Sequence, residues 1–184
     1  MNDLSHETAS ITCLMGHVIV FDLIGVLARP SWRELCVTPD LERWRQLKIG
    51  ATPESALWTE GQGAAYRAAL GLRRDRLALL TRLRARGVTI VIASNFAREW
   101  APTVRAAMPD GLVARWLISG ELGVAKPDPG FWAALLRHVP TGTVVVDDQR
   151  RNCEAATAAG LRGLWAPAGP AFAVRVEAAL AAPR

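Results

Sequence analysis

Three short runs, His17–Asp22 (HVIVFD), Val88–Ser94 (VTIVIAS) and Thr143–Asp147 (TVVVD), constrain this chain more than anything else in it. Each is continuous in apolar residues, rich in β-branched side chains and closed by a polar residue. A strand with one wet face alternates apolar and polar positions. Unbroken apolar runs of this length suit strands covered on both faces, as in a parallel sheet. Trp116–Ser119 and Gly163–Trp165 are two weaker strand candidates. Helical patterns separate the runs: Arg73–Arg86, stopped by Gly87; Asp128–His138, with Pro129 near its start; Arg150–Ala159, stopped by Gly160; and Ala171–Ala181. Strands alternating with helices imply βαβ units with right-handed crossovers. The expected fold is therefore α/β, a doubly wound, Rossmann-like parallel sheet.

One interval breaks the alternation. Residues 28–71 hold no convincing strand, only helical pieces around Pro39–Leu47 and Pro53–Leu70. Such a length is foreign to an ordinary βα connection. The expected organisation is a flexible N-terminal extension over 1–16, a Rossmann-like core over 17–27 and 72–184, and a small helical insertion over 28–71 above the carboxyl ends of the strands. At 184 residues the chain can bury a core without disulfides or structural metal, and 51% hydrophobic against 21% charged residues excludes a disordered chain.

Charge and cysteine usage narrow the function classes. The formal net charge is +5, but the densest basic stretch, Arg73 to Arg86, alternates with leucines at helical spacing. It reads as the solvated face of an amphipathic helix rather than a nucleic-acid-binding stripe. The longest apolar run is far too short to span a bilayer, and the first sixteen residues lack the pattern of a secretory signal. The three cysteines, Cys13, Cys36 and Cys153, form no framework, which fits a reducing, cytoplasmic setting. Nothing in the sequence indicates an oligomeric state.

In an open α/β sheet, ligands bind beyond the carboxyl ends of the strands. Asp22 ends the first run, Ser94-Asn95 the second and Asp147-Asp148 the third, while Lys126 lies in a loop stiffened by Pro127 and Pro129. This set suits phosphoryl transfer to a carboxylate. Asp22 can act as nucleophile, and Asp22, Asp147 and Asp148 offer hard oxygen ligands for Mg²⁺. The Ser94 hydroxyl and the Asn95 region can hold phosphate oxygens, with the Lys126 charge aimed at the same oxygens. Ser94-Asn95 could equally cap the following helix, and one of Asp147-Asp148 could cap the helix that begins near Arg150.

The segments Phe21-Asp22-Leu23-Ile24-Gly25-Val26-Leu27, Ala93-Ser94-Asn95, Lys126-Pro127-Asp128-Pro129 with Phe131, and Asp147-Asp148 with Asn152, Ala156 and Gly160 resemble the four ordered motifs of the haloacid dehalogenase-like hydrolases. The resemblance covers residues 17–165. It implies a Rossmann-like core with a helical cap, here short, between the first and second motifs. It also implies Mg²⁺ held by Asp22, the main-chain carbonyl of Ile24, and Asp147 or Asp148, and a small phosphorylated metabolite as partner.

The sequence departs from the family at one place. Phosphatases of the family usually carry a second aspartate two residues after the nucleophile as general acid and base, and here that position is Ile24. Three readings stay open: a phosphatase whose substrate needs little help at the leaving group, such as a sugar phosphate; a dehalogenase, against which the Asp147-Asp148 pair argues; and a protein that uses the pocket for binding or for a non-hydrolytic reaction. Beyond these residues, Asn152 is either a neighbour of the acidic pair or exposed. His17 and His138 stand away from the strand ends, and Cys153 reads as a small core residue. Trp32, Trp44 and Trp58 fall in or beside the insertion, with Trp32 a candidate wall of a specificity pocket.

Overall fold

The alternation read from the sequence is realised in the computed structural model, which describes residues 16–29, 40–166, 169 and 171–182. The expected extension, apart from Gly16, lies outside the described residues, and so does Trp32. Five parallel strands form the main sheet: β1 (Val18–Phe21), β4 (Thr89–Ser94), β5 (Arg115–Ile118), β6 (Val144–Asp147) and β7 (Arg162–Trp165), in the order β5-β4-β1-β6-β7. The chain winds outward from β1 through β4 to β5, then returns to the other side of β1 for β6 and β7. The strand order therefore reverses beside β1, where such sheets place their ligand crevice.

The unbroken apolar runs have the expected cause. Along β1, Ile19 and Phe21 face one core layer and Val20 the other, and Ile92 and Val146 share the side of Phe21. The first layer is closed by α3 (Arg74–Ala85), through Leu79, Leu80 and Leu83, and by α8 (Phe172–Ala181), through Phe172 and Val176. The second is closed by α6 (Pro129–Leu136), through Phe131, Trp132 and Leu135, and by α7 (Arg150–Ala158), through Ala156. Each fully buried branched side chain contributes about 1.5–3 kcal/mol, so a one-residue slip of any central strand is strongly disfavoured.

Two details differ from the sequence reading. The arginine-rich helix is not solvated throughout: Arg76 is buried, with its guanidinium 3.4 Å from the centre of the Phe172 ring. A planar, weakly hydrated cation stacked on an aromatic face can replace a leucine in a core layer. The interval 28–71 also contains a strand. Two-residue strands β2 (Ala28–Arg29) and β3 (Gly71–Leu72) pair antiparallel and draw the two ends of the interval together.

Between them lie α1 (Leu41–Lys48), a 3₁₀ turn (Glu54–Ala56) and α2 (Glu60–Ala69). Asp40 caps α1 by accepting from the N–H groups of Glu42 and Arg43 at 2.9 Å, and Thr59 with Gln62 forms a capping box on α2. Trp44, Trp58 and Tyr66 of this segment pack on Trp100, which follows β4 in the chain. The Trp100 indole N–H donates to Glu54 at 2.5 Å. A seven-residue helix, α4 (Ala101–Ala107), and a single turn, α5 (Ser119–Leu122), complete the path.

Candidate active site

Register brings the acidic residues together. Phe21 of β1 pairs with Ile92 of β4 on one side and with Val146 of β6 on the other. The next residues along, Asp22 and Asp147, therefore emerge level and adjacent, and the Asp22 N–H donates to the Val146 carbonyl at 2.8 Å. Asp22 is 5% exposed and Asp147 fully buried. Two carboxylates so placed repel each other in a poorly screened environment, and Lys126 answers them. Its ammonium donates to Asp22 Oδ1 at 3.0 Å, to Asp147 Oδ2 at 2.6 Å and to the Ala93 carbonyl at 2.8 Å.

The loop that delivers Lys126 is clamped by Asn95. The Asn95 amide donates to the Lys126 carbonyl and accepts from the Lys126 N–H, each at 2.7 Å. The Lys126–Pro127 peptide is cis. Besides Lys126, two groups hold Asp147: Gln149 N–H donates to its Oδ1 at 2.8 Å, and the Asn152 amide donates to Oδ1 and Oδ2 at 3.0 and 3.1 Å. The sequence left Asn152 between two roles. It is buried against Asp147.

Electrostatics follow from this arrangement. Burial pushes the Asp22 carboxyl up to about 6, with Lys126 opposing and Asp147 adding to the rise. Desolvation alone would lower the Lys126 ammonium, but the carboxylates of Asp22 and Asp147 together outweigh it and hold its pKa above the usual range. Asp148 is raised by burial and then by Asp147.

Three of the six buried side-chain polar atoms that lack partners among the described residues belong to this neighbourhood. Ser94 Oγ, Asp148 Oδ1 and Asn152 Oδ1 are buried and lack hydrogen-bond partners in the structure. Carboxylate oxygens of Asp22, Asp147 and Asp148 lie within 4.8 Å of one another, a spacing that suits one shared cation. Asp148 reaches back over Gly25, whose φ is +87°. A Cβ there would stand 2.2 Å from Asp148 Oδ2, so only glycine gives the carboxylate its place. A cavity of roughly 180 Å³ opens between Asp22, Ser94, Lys126 and Asp148. Ile24, half-buried, forms part of its wall.

Every described residue singled out from the sequence for chemistry thus falls at one place: Asp22, Ile24, Ser94, Asn95, Lys126, Asp147 and Asp148. His17 and His138 are exposed and outside it. Sequence reasoning missed Lys48, Tyr66 and Trp100, which line the same cavity. Tyr66 and Lys48 come from the helical interval, and nothing in its pattern announces which side chains turn toward the strands. Among the described residues no helix is long and apolar enough to cross a membrane.

The haloacid dehalogenase-like hydrolase family model matches residues 42–160. No curated protein matches the chain. Among solved structures, a predicted HAD-like family hydrolase from Porphyromonas gingivalis superposes with a TM-score of 0.72 at 17% identity, covering 92% of this chain and 100% of its own. A HAD family enzyme from Bacteroides thetaiotaomicron, in complex with magnesium and inorganic phosphate, gives 0.67 at 20% identity over 84% and 96% of the two chains. An L-2-haloacid dehalogenase gives 0.58 at 19% identity over 79% and 84%. At such identities these likenesses speak for the fold alone. With the family model covering more than half of it, the chain belongs to the haloacid dehalogenase-like hydrolases.

Proposed function

We propose that this hydrolase is a Mg²⁺-dependent phosphatase acting on a small phosphorylated metabolite, a sugar phosphate included, in the cytoplasm. One observation carries the reading: a buried ammonium shared by two carboxylates, with the unpartnered Ser94 hydroxyl and Asp148 oxygen facing the same cavity. The Bacteroides enzyme of the same fold, in complex with magnesium and inorganic phosphate, is consistent with it.

Three carboxylates against one lysine leave an excess of negative charge, which the site can hold comfortably only with a bound cation. Asp22, the main-chain carbonyl of Ile24 and Asp148 would hold the ion. Asp147 has its oxygens engaged by Lys126, Asn152 and Gln149, so we assign it the positioning of Lys126. Bound Mg²⁺ supplies the positive charge that lets an anionic nucleophile and an anionic phosphate meet. The acidic cluster argues against halide displacement, which uses no cation.

In this mechanism Asp22 attacks phosphorus through the oxygen that Lys126 leaves free. The P–O bond to the ester oxygen breaks, and Asp22 becomes an aspartyl phosphate. The Ser94 hydroxyl donates to a non-bridging oxygen, and the Lys126 charge beside Asp22 offsets the charge that builds on these oxygens. Water then cleaves the acyl phosphate, releasing inorganic phosphate and restoring Asp22. No side chain at residue 24 can hand a proton to the leaving oxygen, so the reading favours esters whose leaving group is weakly basic, such as sugar 1-phosphates.

Ile24 also supports a second reading, in which the site binds a phosphorylated ligand or serves a non-hydrolytic reaction. Its apolar side chain packs on the core beside the cavity, where a proton-transfer group would be needed. A screen of phosphate esters with Mg²⁺ separates the two. Release by the wild type, lost in Asp22→Asn, supports the phosphatase. Ligand-dependent thermal stabilisation without release beyond that control rejects it in favour of binding.

A further inference from the structure

Lys48, Asn95 and Lys126 line both the cavity above Asp22 and a second, larger cavity of roughly 370 Å³, bounded by Arg45 and Lys48 of α1, the 123–128 loop and Arg151 of α7. We propose that this second cavity is an anion subsite in which Lys48 and Arg151 receive a second negatively charged group of the substrate, a carboxylate or a phosphate. The inference rests on the phosphatase reading and names the class of ester: one that carries a further anion away from the scissile phosphate.

The charge of the walls carries the argument. Lys126 is already neutralised by Asp22 and Asp147, whereas Lys48 and Arg151 form no ion pair with any described residue. The one acidic side chain on this wall, Asp128, is exposed and takes the N–H of Gly130 at the start of α6. Lys48 is not a loose surface lysine. It is half-buried, its ammonium stands 5.7 Å from the centre of the Trp44 ring, and its carbonyl receives the hydroxyl of fully buried Ser119. Arg98 fastens the following turn by donating to the carbonyls of Gly50 and Gly120, each at 3.1 Å. The end of α1 is thus pinned to the core with its lysine on the wall of both cavities.

Burial lowers the Lys48 ammonium below its usual range, and the charges of Arg151, Arg45 and Lys126 add to the effect against the pull of Asp22. A half-buried cation among other cations is an arrangement that a bound anion relieves. Arg151 is exposed and its Nε donates to Gln149 at 3.0 Å, which leaves its terminal nitrogens for a ligand.

Matched substrates test the subsite. With Mg²⁺, KM is measured for glucose 1,6-bisphosphate against glucose 1-phosphate, and for 3-phosphoglycerate against glycerol 3-phosphate. The same four ligands are compared by thermal shift on Asp22→Asn, which reads binding without turnover. The expected result is an advantage of about tenfold or more for at least one member bearing the second anion over its partner, since hydrogen bonds between charged groups are the strong ones. Lys48→Met and Arg151→Met each shrink that ratio to about threefold or less, and 0.5 M salt does the same. Which pair responds distinguishes a phosphate from a carboxylate. Equal binding of the members with and without the second anion overturns the subsite and leaves the phosphate site standing, as does a ratio indifferent to both substitutions. No response to any ester or to inorganic phosphate overturns both.

Discussion

Removing the ammonium from the centre of the acidic cluster is the most direct test of how the site is held. In Lys126→Met the side chain keeps much of its length, so the packing loss is small, but Asp22 and Asp147 lose the 3.0 and 2.6 Å contacts that compensate them. Breaking a buried ion pair by removing one partner costs about 3–5 kcal/mol, because the orphaned charge stays in a poorly solvated place. For a domain of this size each kcal/mol lowers Tm by roughly 2–4 °C, so in EDTA the variant should melt roughly 6–20 °C below the wild type. An exposed pair sets the contrast. Arg105 and Glu121 meet at 2.8 Å with side chains 36% and 37% exposed, and Glu121→Gln should cost at most about 1 kcal/mol.

The loss should also depend on pH, and its sign is fixed. The Asp22 carboxyl already stands at about 6 in the fold against 3.8 unfolded, and without Lys126 it rises further. A carboxyl whose folded pKa is raised favours folding below its unfolded pKa and loses that contribution as pH climbs through the folded one. The variant's deficit should therefore be small near pH 4 and reach its full size above neutrality. Mg²⁺ should restore more of the variant's Tm than it adds to the wild type. Calorimetry of both proteins across pH, with and without Mg²⁺, reads all of this. A variant melting within about 2 °C of the wild type at pH 8 in EDTA would refute the reasoning, because the carboxylates would then not depend on the lysine.

Gly25→Ala combines a φ of +87° with a Cβ placed 2.2 Å from Asp148, so titration calorimetry should show Mg²⁺ affinity falling at least about tenfold. Protons should compete with the metal at Asp22, weakening Mg²⁺ binding about tenfold per pH unit below about 6, and an affinity flat from pH 7 to 5 would contradict this assignment. Ile24→Asp should raise phosphate release, by up to roughly 10²–10⁴-fold if proton transfer limits turnover. No gain would mean that the substrate or another group supplies the proton.

What the sequence revealed follows from the range of the forces involved. Asp22, Ser94 and Asp147 were legible because each closes a run buried on both faces, and parallel register alone carries them to one edge of the sheet. The strands and α3, α6, α7 and α8 were legible for the same local reason. The pairing of Ala28–Arg29 with Gly71–Leu72 was not, since two residues have no period and the contact closes a long interval. The burial of Arg76 depends on Phe172, distant in sequence. Lys48, Trp44 and Tyr66 reach the cavity only because α1 and α2 fold back on Trp100, a choice made by tertiary packing.

The residues that defy ordinary local rules are the ones the proposed chemistry uses. A folding domain gains nothing from three carboxylates within 4.8 Å of one another, a lysine buried to neutralise only part of them, and a serine hydroxyl left without a partner. Hydrophobic side chains at Asp147, Asn152 and Lys126 would satisfy the two core layers as well, since buried ion pairs rarely outperform apolar packing of similar volume. These groups stand in a fold whose other strand positions obey the apolar pattern, and each has an atom on, or one hydrogen bond away from, a single cavity. Ile24 is the reverse case, an apolar residue where hydrolysis calls for a polar one. An ester with a good leaving group and a second anion for Lys48 and Arg151 would reconcile the two, because binding energy gathered at the remote anion can hold the scissile bond in line with Asp22 while the leaving oxygen departs unaided.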